Sequence, residues 1–141
     1  MNKRREMVLS WREIEHTADA GLYIVSTDMN TLFQEAAEAL YYIMFEGVQY
    51  MSGRQHRSLR IEGIDPGDLA VVWLNELIYI FETEGAVYIP EAIYVDMERF
   101  KLKSEGSMIT APVPVRQVKA ATYGGLCMTL DPPALKVYLD L

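Results

Sequence analysis

The segment from Asp65 to Gly85 leaves the chain little choice of conformation. Asp65 offers a carboxylate to a helix start, and Pro66 takes the first helical position, where no amide donor is needed. Leu69, Val72, Trp73, Glu76, Leu77, Ile80 and Phe81 recur at helical intervals, and Gly85 supplies a stop. Glu76 alone breaks the apolar stripe and reads as a boundary residue. A helix with one such stripe must bury it, so the remaining sequence has to supply a surface.

A second helix is predicted from Thr27 or Asp28 onward, with Met29, Leu32, Phe33, Ala36, Leu40, Ile43 and Met44 on its stripe and Gly47 at its end. Elsewhere the period is two. Ser10 to His16 and Leu22 to Ser26 read as strands joined by the connection Thr17 to Gly21. Tyr50 to Gln55 reads as a loop, and Arg57 to Glu62 alternates as a half-buried, edge-type strand. Ala86 to Ile89, Ile93 to Leu102 and Ser107 to Thr110 are strands, with Glu105-Gly106 as a turn. Pro112 and Pro114 enforce an extended stretch, and Val118 to Met128 and Leu135 to Leu141 complete the strands around an Asp131-Pro132-Pro133 turn. The expected class is α+β, with two amphipathic helices on one face of a mixed, mostly antiparallel sheet. A single two-layer domain is expected over residues 1–141, with residues 1–9 flexible.

Composition limits the function. Half of the 141 residues are hydrophobic, which suits a sizeable core, and the net charge is −7. A field of that sign repels phosphate backbones, so strong autonomous nucleic-acid binding is not expected, and a basic protein partner or a cation suits the surface better. No export signal and no run long enough to span a membrane is visible. The single cysteine, Cys127, suits a reducing compartment, so a cytoplasmic protein is expected, and Cys127 itself reads as a small buried hydrophobe.

No phosphate-binding glycine loop, paired-cysteine zinc motif or nucleophile elbow is present. The arginine-rich stretch Arg54, Gln55, His56, Arg57 and Arg60 lacks interleaved aromatic residues and reads as a solvated loop. The informative groups are carboxylates. Asp19 lies between the first strands, and Asp140 precedes Leu141, whose terminal carboxylate is one residue away. If the sheet brings these three together, their hard oxygens suit calcium, magnesium or manganese better than zinc. His16 then reads as a residue that orients the loop behind the ligands.

Four segments taken together resemble the archease family: His16-Thr17-Ala18-Asp19, Trp73-Leu74-Asn75-Glu76-Leu77-Ile78-Tyr79, Val118-Lys119-Ala120-Ala121-Thr122-Tyr123 and Val137-Tyr138-Leu139-Asp140-Leu141. The resemblance runs from Trp11 onward. It implies a non-catalytic partner of an RtcB-type RNA ligase, the enzyme that joins 2′,3′-cyclic phosphate and 5′-hydroxyl RNA ends in tRNA splicing with GTP and manganese. The family promotes guanylylation of the ligase and so permits repeated turnover. By the same resemblance, Asp19 and Asp140 are metal ligands and Lys119 acts in activation. One departure stands out: a histidine common in the family after Thr-Tyr is replaced here by Gly124. The competing readings are a general chaperone or modulator of RNA-modifying enzymes, and an enzyme performing metal-assisted phosphoryl transfer with the aspartates and Lys119.

Overall fold

The computed structural model describes residues 11–15, 19–46 and 55–141. Residues 1–9, expected to be flexible, and His16 lie outside the described residues. The element order is β1 (Trp11–Glu15), β2 (Asp19–Val25), α1 (Met29–Phe45), β3 (Gln55–Glu62), α2 (Pro66–Glu84), β4 (Ala86–Asp96), β5 (Lys101–Thr110), β6 (Ala120–Leu130) and β7 (Pro133–Asp140).

Both helices begin where the sequence places them. The Asp28 carboxylate accepts the Thr31 amide at 2.8 Å, and Asp65 accepts the Asp68 amide at 2.8 Å with Pro66 behind it. Asp68 in turn accepts the Ile64 amide at 2.9 Å, so the entry to α2 is fixed from both sides. Gly85 ends α2 in the left-handed region, φ 63°. The end of α1 differs from expectation. Its left-handed cap is Glu46, φ 60°, one residue before the predicted Gly47, which lies outside the described residues.

The α+β class with two helices and antiparallel strands matches the reading from sequence. The strands are, however, divided into two hydrogen-bonded ladders, β1-β2-β7-β6 (sheet A) and β3-β5-β4 (sheet B), and every pairing among the described residues is antiparallel rather than mixed. The helices touch each other, and each touches strands of both sheets. One cluster of buried side chains therefore serves all the layers, running from Leu22, Ile24, Val137 and Leu139 through Phe33, Leu40, Trp73 and Leu77 to Val87 and Leu102. Trp73 joins the parts: its indole N–H donates to the Phe33 carbonyl at 3.0 Å, and its ring meets Tyr88 edge-on at 6.5 Å. Tyr41 reaches the Tyr88 carbonyl at 2.5 Å, and the Tyr88 hydroxyl pairs with buried Ser104 at 2.8 Å. These bonds satisfy polar groups that would otherwise be costly to bury.

Three local expectations are corrected. Glu105-Gly106 is not a turn but lies within β5, the centre of sheet B; the chain reverses at residues 97–100, where Asp96 accepts the amides of Glu98 and Arg99 and Phe100 takes φ 56°. Gly106 is required in the strand because a Cβ there would meet the Ile89 carbonyl oxygen at 2.3 Å and the Tyr88 ring at 2.7 Å. The second concerns the predicted Thr17 to Gly21 connection: Asp19, Ala20 and Gly21 already belong to β2. Finally, the strand read over Arg57 to Glu62 is present but starts two residues earlier, so Gln55 and His56 belong to β3 and not to a loop, with Arg57 paired to Glu84 at 2.8 Å and His56 to Glu105 at 2.9 Å.

Candidate functional site

Antiparallel pairing places Asp19, the first residue of β2, directly opposite Asp140, the last of β7. On the other side of β7, Asp140 faces Ala120, the first residue of β6, and the Lys119 amide donates to the Asp140 carbonyl at 2.7 Å. The start of β2 and the two open ends of the β6–β7 hairpin, distant from it in sequence, thus come together at one end of sheet A. Their neighbours Ala20, Leu139 and Ala121 are buried in the core. Strand alternation therefore turns Asp19 and Asp140 to the opposite, outer face. Cross-strand partners have Cβ atoms about 4.5–5.5 Å apart, and like charges so placed repel.

The arrangement suits a hard cation, which would offset that repulsion through oxygen ligands alone. Asp140 is exposed and Asp19 partly so. No group of three or more His, Cys, Asp or Glu side chains forms a cluster among the described residues. The side chains that fit a metal here are accordingly two carboxylates. Leu141 follows directly, its side chain packed against the core, which holds the end of β7 in place beside the pair. Lys119 is exposed, next to the strand end.

One contributor was not singled out from the sequence. Asn75 on α2 donates its side-chain N–H to the Ala121 carbonyl at 3.1 Å and accepts the Ala121 amide at 2.8 Å. Its amide imitates a neighbouring strand for the unpaired edge of β6, two residues from Lys119. The signal was present: a polar residue on a buried helix, beside Glu76 and inside one of the four quoted segments.

The position of the missing histidine is also defined. β6 loses its ladder between Thr122 and Cys127, and Gly125 bulges out with φ 74° against the Tyr138 ring. A Cβ on Gly124 would meet nothing within 4 Å, so the glycine there is not demanded by packing. Tyr123, just before it, donates to Asp68 at 2.6 Å, and this bond, more than its slight burial, raises the phenol pKa. Cys127 is exposed, contrary to expectation, because its register opposite Lys136 puts it on the outer face.

Fold and site together define an antiparallel α+β protein with facing strand-end aspartates and an adjacent lysine. The comparisons with known proteins are specific about which one. Residues 11–141 match the Archease protein family (MTH1598/TM1083), and the chain belongs to that family. The archease of Pyrococcus abyssi is 28% identical over 119 residues, covering 80% of this chain and 83% of that protein. The archease of Sulfurisphaera tokodaii is 27% identical over 92 residues, 65% of this chain, and the match spans 64% of that relative's length. The solution structure of Methanobacterium thermoautotrophicum protein 1598 superposes with a TM-score of 0.71 at 23% identity, covering 94% of this chain and 99% of that one. The Thermotoga maritima crystal structure, described as an archease and possible chaperone, gives 0.63 at 21% identity over 92% and 96% of the two chains. At those identities the two structures establish the shared fold. No helix among the described residues is long and apolar enough to cross a membrane.

Proposed function

We propose that this chain is a metal-dependent, non-catalytic protein cofactor of an RtcB-type RNA ligase, promoting ligase guanylylation with GTP and multiple turnover in tRNA splicing or RNA repair. The observation that carries the reading is the register of Asp19 with Asp140, with the Lys119 amide bonded to the same Asp140. A bound calcium, magnesium or manganese ion would supply positive charge between the carboxylates. The residues themselves do the rest. Asp19 and Asp140 hold β2 and β7 in a fixed relation to the cation, and Lys119 presents a flexible ammonium to a nucleotide phosphate or an acidic ligase group. His16, outside the described residues, is proposed to act behind the ligands rather than as one of them.

Ligation with the cognate ligase limiting tests this directly. Repeated turnover is expected only when the protein is added, and GTP, manganese and RNA ends without ligase should give no product; product under the latter condition would instead favour the phosphoryl-transfer enzyme. Asp19→Ala and Asp140→Ala should lose both divalent-cation affinity and activation while remaining folded. Lys119→Ala should keep the cation and lose activation, and full activation by this variant would remove Lys119 from the site. A general chaperone is favoured by one observation, the exposure of Val113 (86%) and Val115 (60%) on the segment before β6. That reading expects several unrelated clients to bind in equal proportion and no selectivity for a ligase.

A further inference from the structure

Sheet B has a face that the site above does not use. Leu59, Leu102 and Ile93 turn into the core, so the alternate residues of β3, β5 and β4 face solvent. Arg60, Lys103 and Tyr94 are mutual partners in one row across the three strands, and Glu62, Lys101 and Asp96 form the next row. With Arg99 from the turn, these residues line a concavity of about 580 Å³. Four cations in one depression are unexpected in a chain of net charge −7.

Lys101 faces Glu62 and Asp96 across the ladder, and Lys103, after the Ser58 hydrogen bond, helps lower the Glu105 carboxyl pKa, so part of this charge is offset locally. The ion pairs His56–Glu105 and Arg57–Glu84 use none of Arg60, Arg99, Lys101 or Lys103. One oxygen of the Asp96 carboxylate accepts both the Glu98 and Arg99 amides, at 3.0 and 3.1 Å, and the group keeps its negative charge. The ionisable lining therefore carries a positive balance, four cations against Glu62 and Asp96. Tyr94 stands among them with 56% of its surface exposed, and Lys103 Nζ lies 5.8 Å from its ring centroid. Near the end of β4, this exposed ring is held by the Lys103 contact and not by core packing.

We propose that this face is a platform for single-stranded nucleic acid, with phosphates drawn to Arg60, Lys101, Lys103 and Arg99 and one base stacked on Tyr94. Arg60 and Tyr94 are two strand spacings apart, about 10 Å, comparable with the reach from a phosphate to its base. A sheet face that combines guanidinium and ammonium groups with an aromatic ring gives sequence-tolerant binding, because every base has a π-face and every nucleotide a phosphate. The acidic remainder of the molecule weakens the interaction and makes it sensitive to salt, but it does not cancel a local field within a Debye length. The platform belongs to the other sheet from Asp19 and Asp140, so it stands or falls independently of the ligase-cofactor reading.

The test is fluorescence anisotropy of a short labelled oligouridylate with the full chain at low salt. Competition arms use adenosine monophosphate and oligoglutamate. Binding is expected to weaken with salt at a log–log slope of about −2, as for three neutralised phosphates on a single strand. Lys103→Glu and Arg60→Gln should each weaken it at least severalfold, and Tyr94→Ala about tenfold, while Tyr94→Phe retains it. Circular dichroism controls for folding, and the exposed positions make these variants mild. No binding by the parent protein at low salt, or unchanged binding by Lys103→Glu, would overturn the platform. Equal competition by the mononucleotide would overturn a strand as its ligand. Oligoglutamate competing equally, with Tyr94→Ala without effect, would replace it with an acidic peptide surface.

Discussion

At the scale of single residues, backbone conformation and hydrogen-bond supply set the strongest constraints. Glu46 caps α1 in the left-handed region, where a side chain with a Cβ costs about 1–2 kcal/mol. It also puts a negative charge at the carbonyl end of a helix with no basic residue in its last turn. Glu46→Gly is therefore expected to stabilise the fold by about 1 kcal/mol, read as a shift of the urea midpoint at unchanged slope. A decrease in stability would mean that the Glu46 side chain has a compensating contact. Asn75 is the opposite case, a side chain whose removal leaves groups without partners. Asn75→Ala should cost about 2 kcal/mol, because the Ala121 amide and carbonyl both lose their bond in a partly buried setting. Hydrogen exchange at Ala121 should accelerate beyond the global change, and ligase activation should fall with it, since β6 begins one residue after Lys119.

At the scale of elements, the helices were legible because each starts on a carboxylate cap and carries a broad apolar surface. Period two was equally plain in β3 and β7. What misled the reading was glycine and charge used for reasons that lie across the sheet. Gly106 resembles a turn residue in sequence and is a strand residue in space, because the space its Cβ would need belongs to Ile89 and Tyr88. The true turn at residues 97–100 contains no glycine and relies on the Asp96 side chain. Cys127 looked apolar in isolation, but the bulge after Thr122 determines which face it occupies. Of the candidate site, the aspartates and Lys119 were legible through four family-like segments, whereas their mutual placement needed the register of β2, β7 and β6. For the Asn75 clamp the residue itself was marked, a polar side chain on a buried helix, but its partner was not, because a backbone leaves no trace in the residue pattern.

At the scale of the whole molecule, the two sheets differ in how they draw on the chain. Sheet B is made from strands within residues 55–110, joined by α2 and one tight turn. Sheet A is completed by β7, which lies between β2 near the beginning and β6 just before it. The candidate metal pair sits at that long-range seam, and the cationic face lies on the more local sheet. Both helices bridge the two, so the seam and the cationic face share one core. The split of the strands has a temporal meaning as well. Contacts between near neighbours cost less chain entropy to close than contacts between distant ones, so β4 and β5 can zip together while β2 still lacks its partner. During refolding, amides of Val87 and Leu102 should gain protection from pulse-labelled exchange before those of Leu22 and Val137; simultaneous protection would mean that the helices gather both sheets in one step. If the order holds, the aspartates meet last, and their meeting is a late checkpoint that registers whether the chain has finished folding.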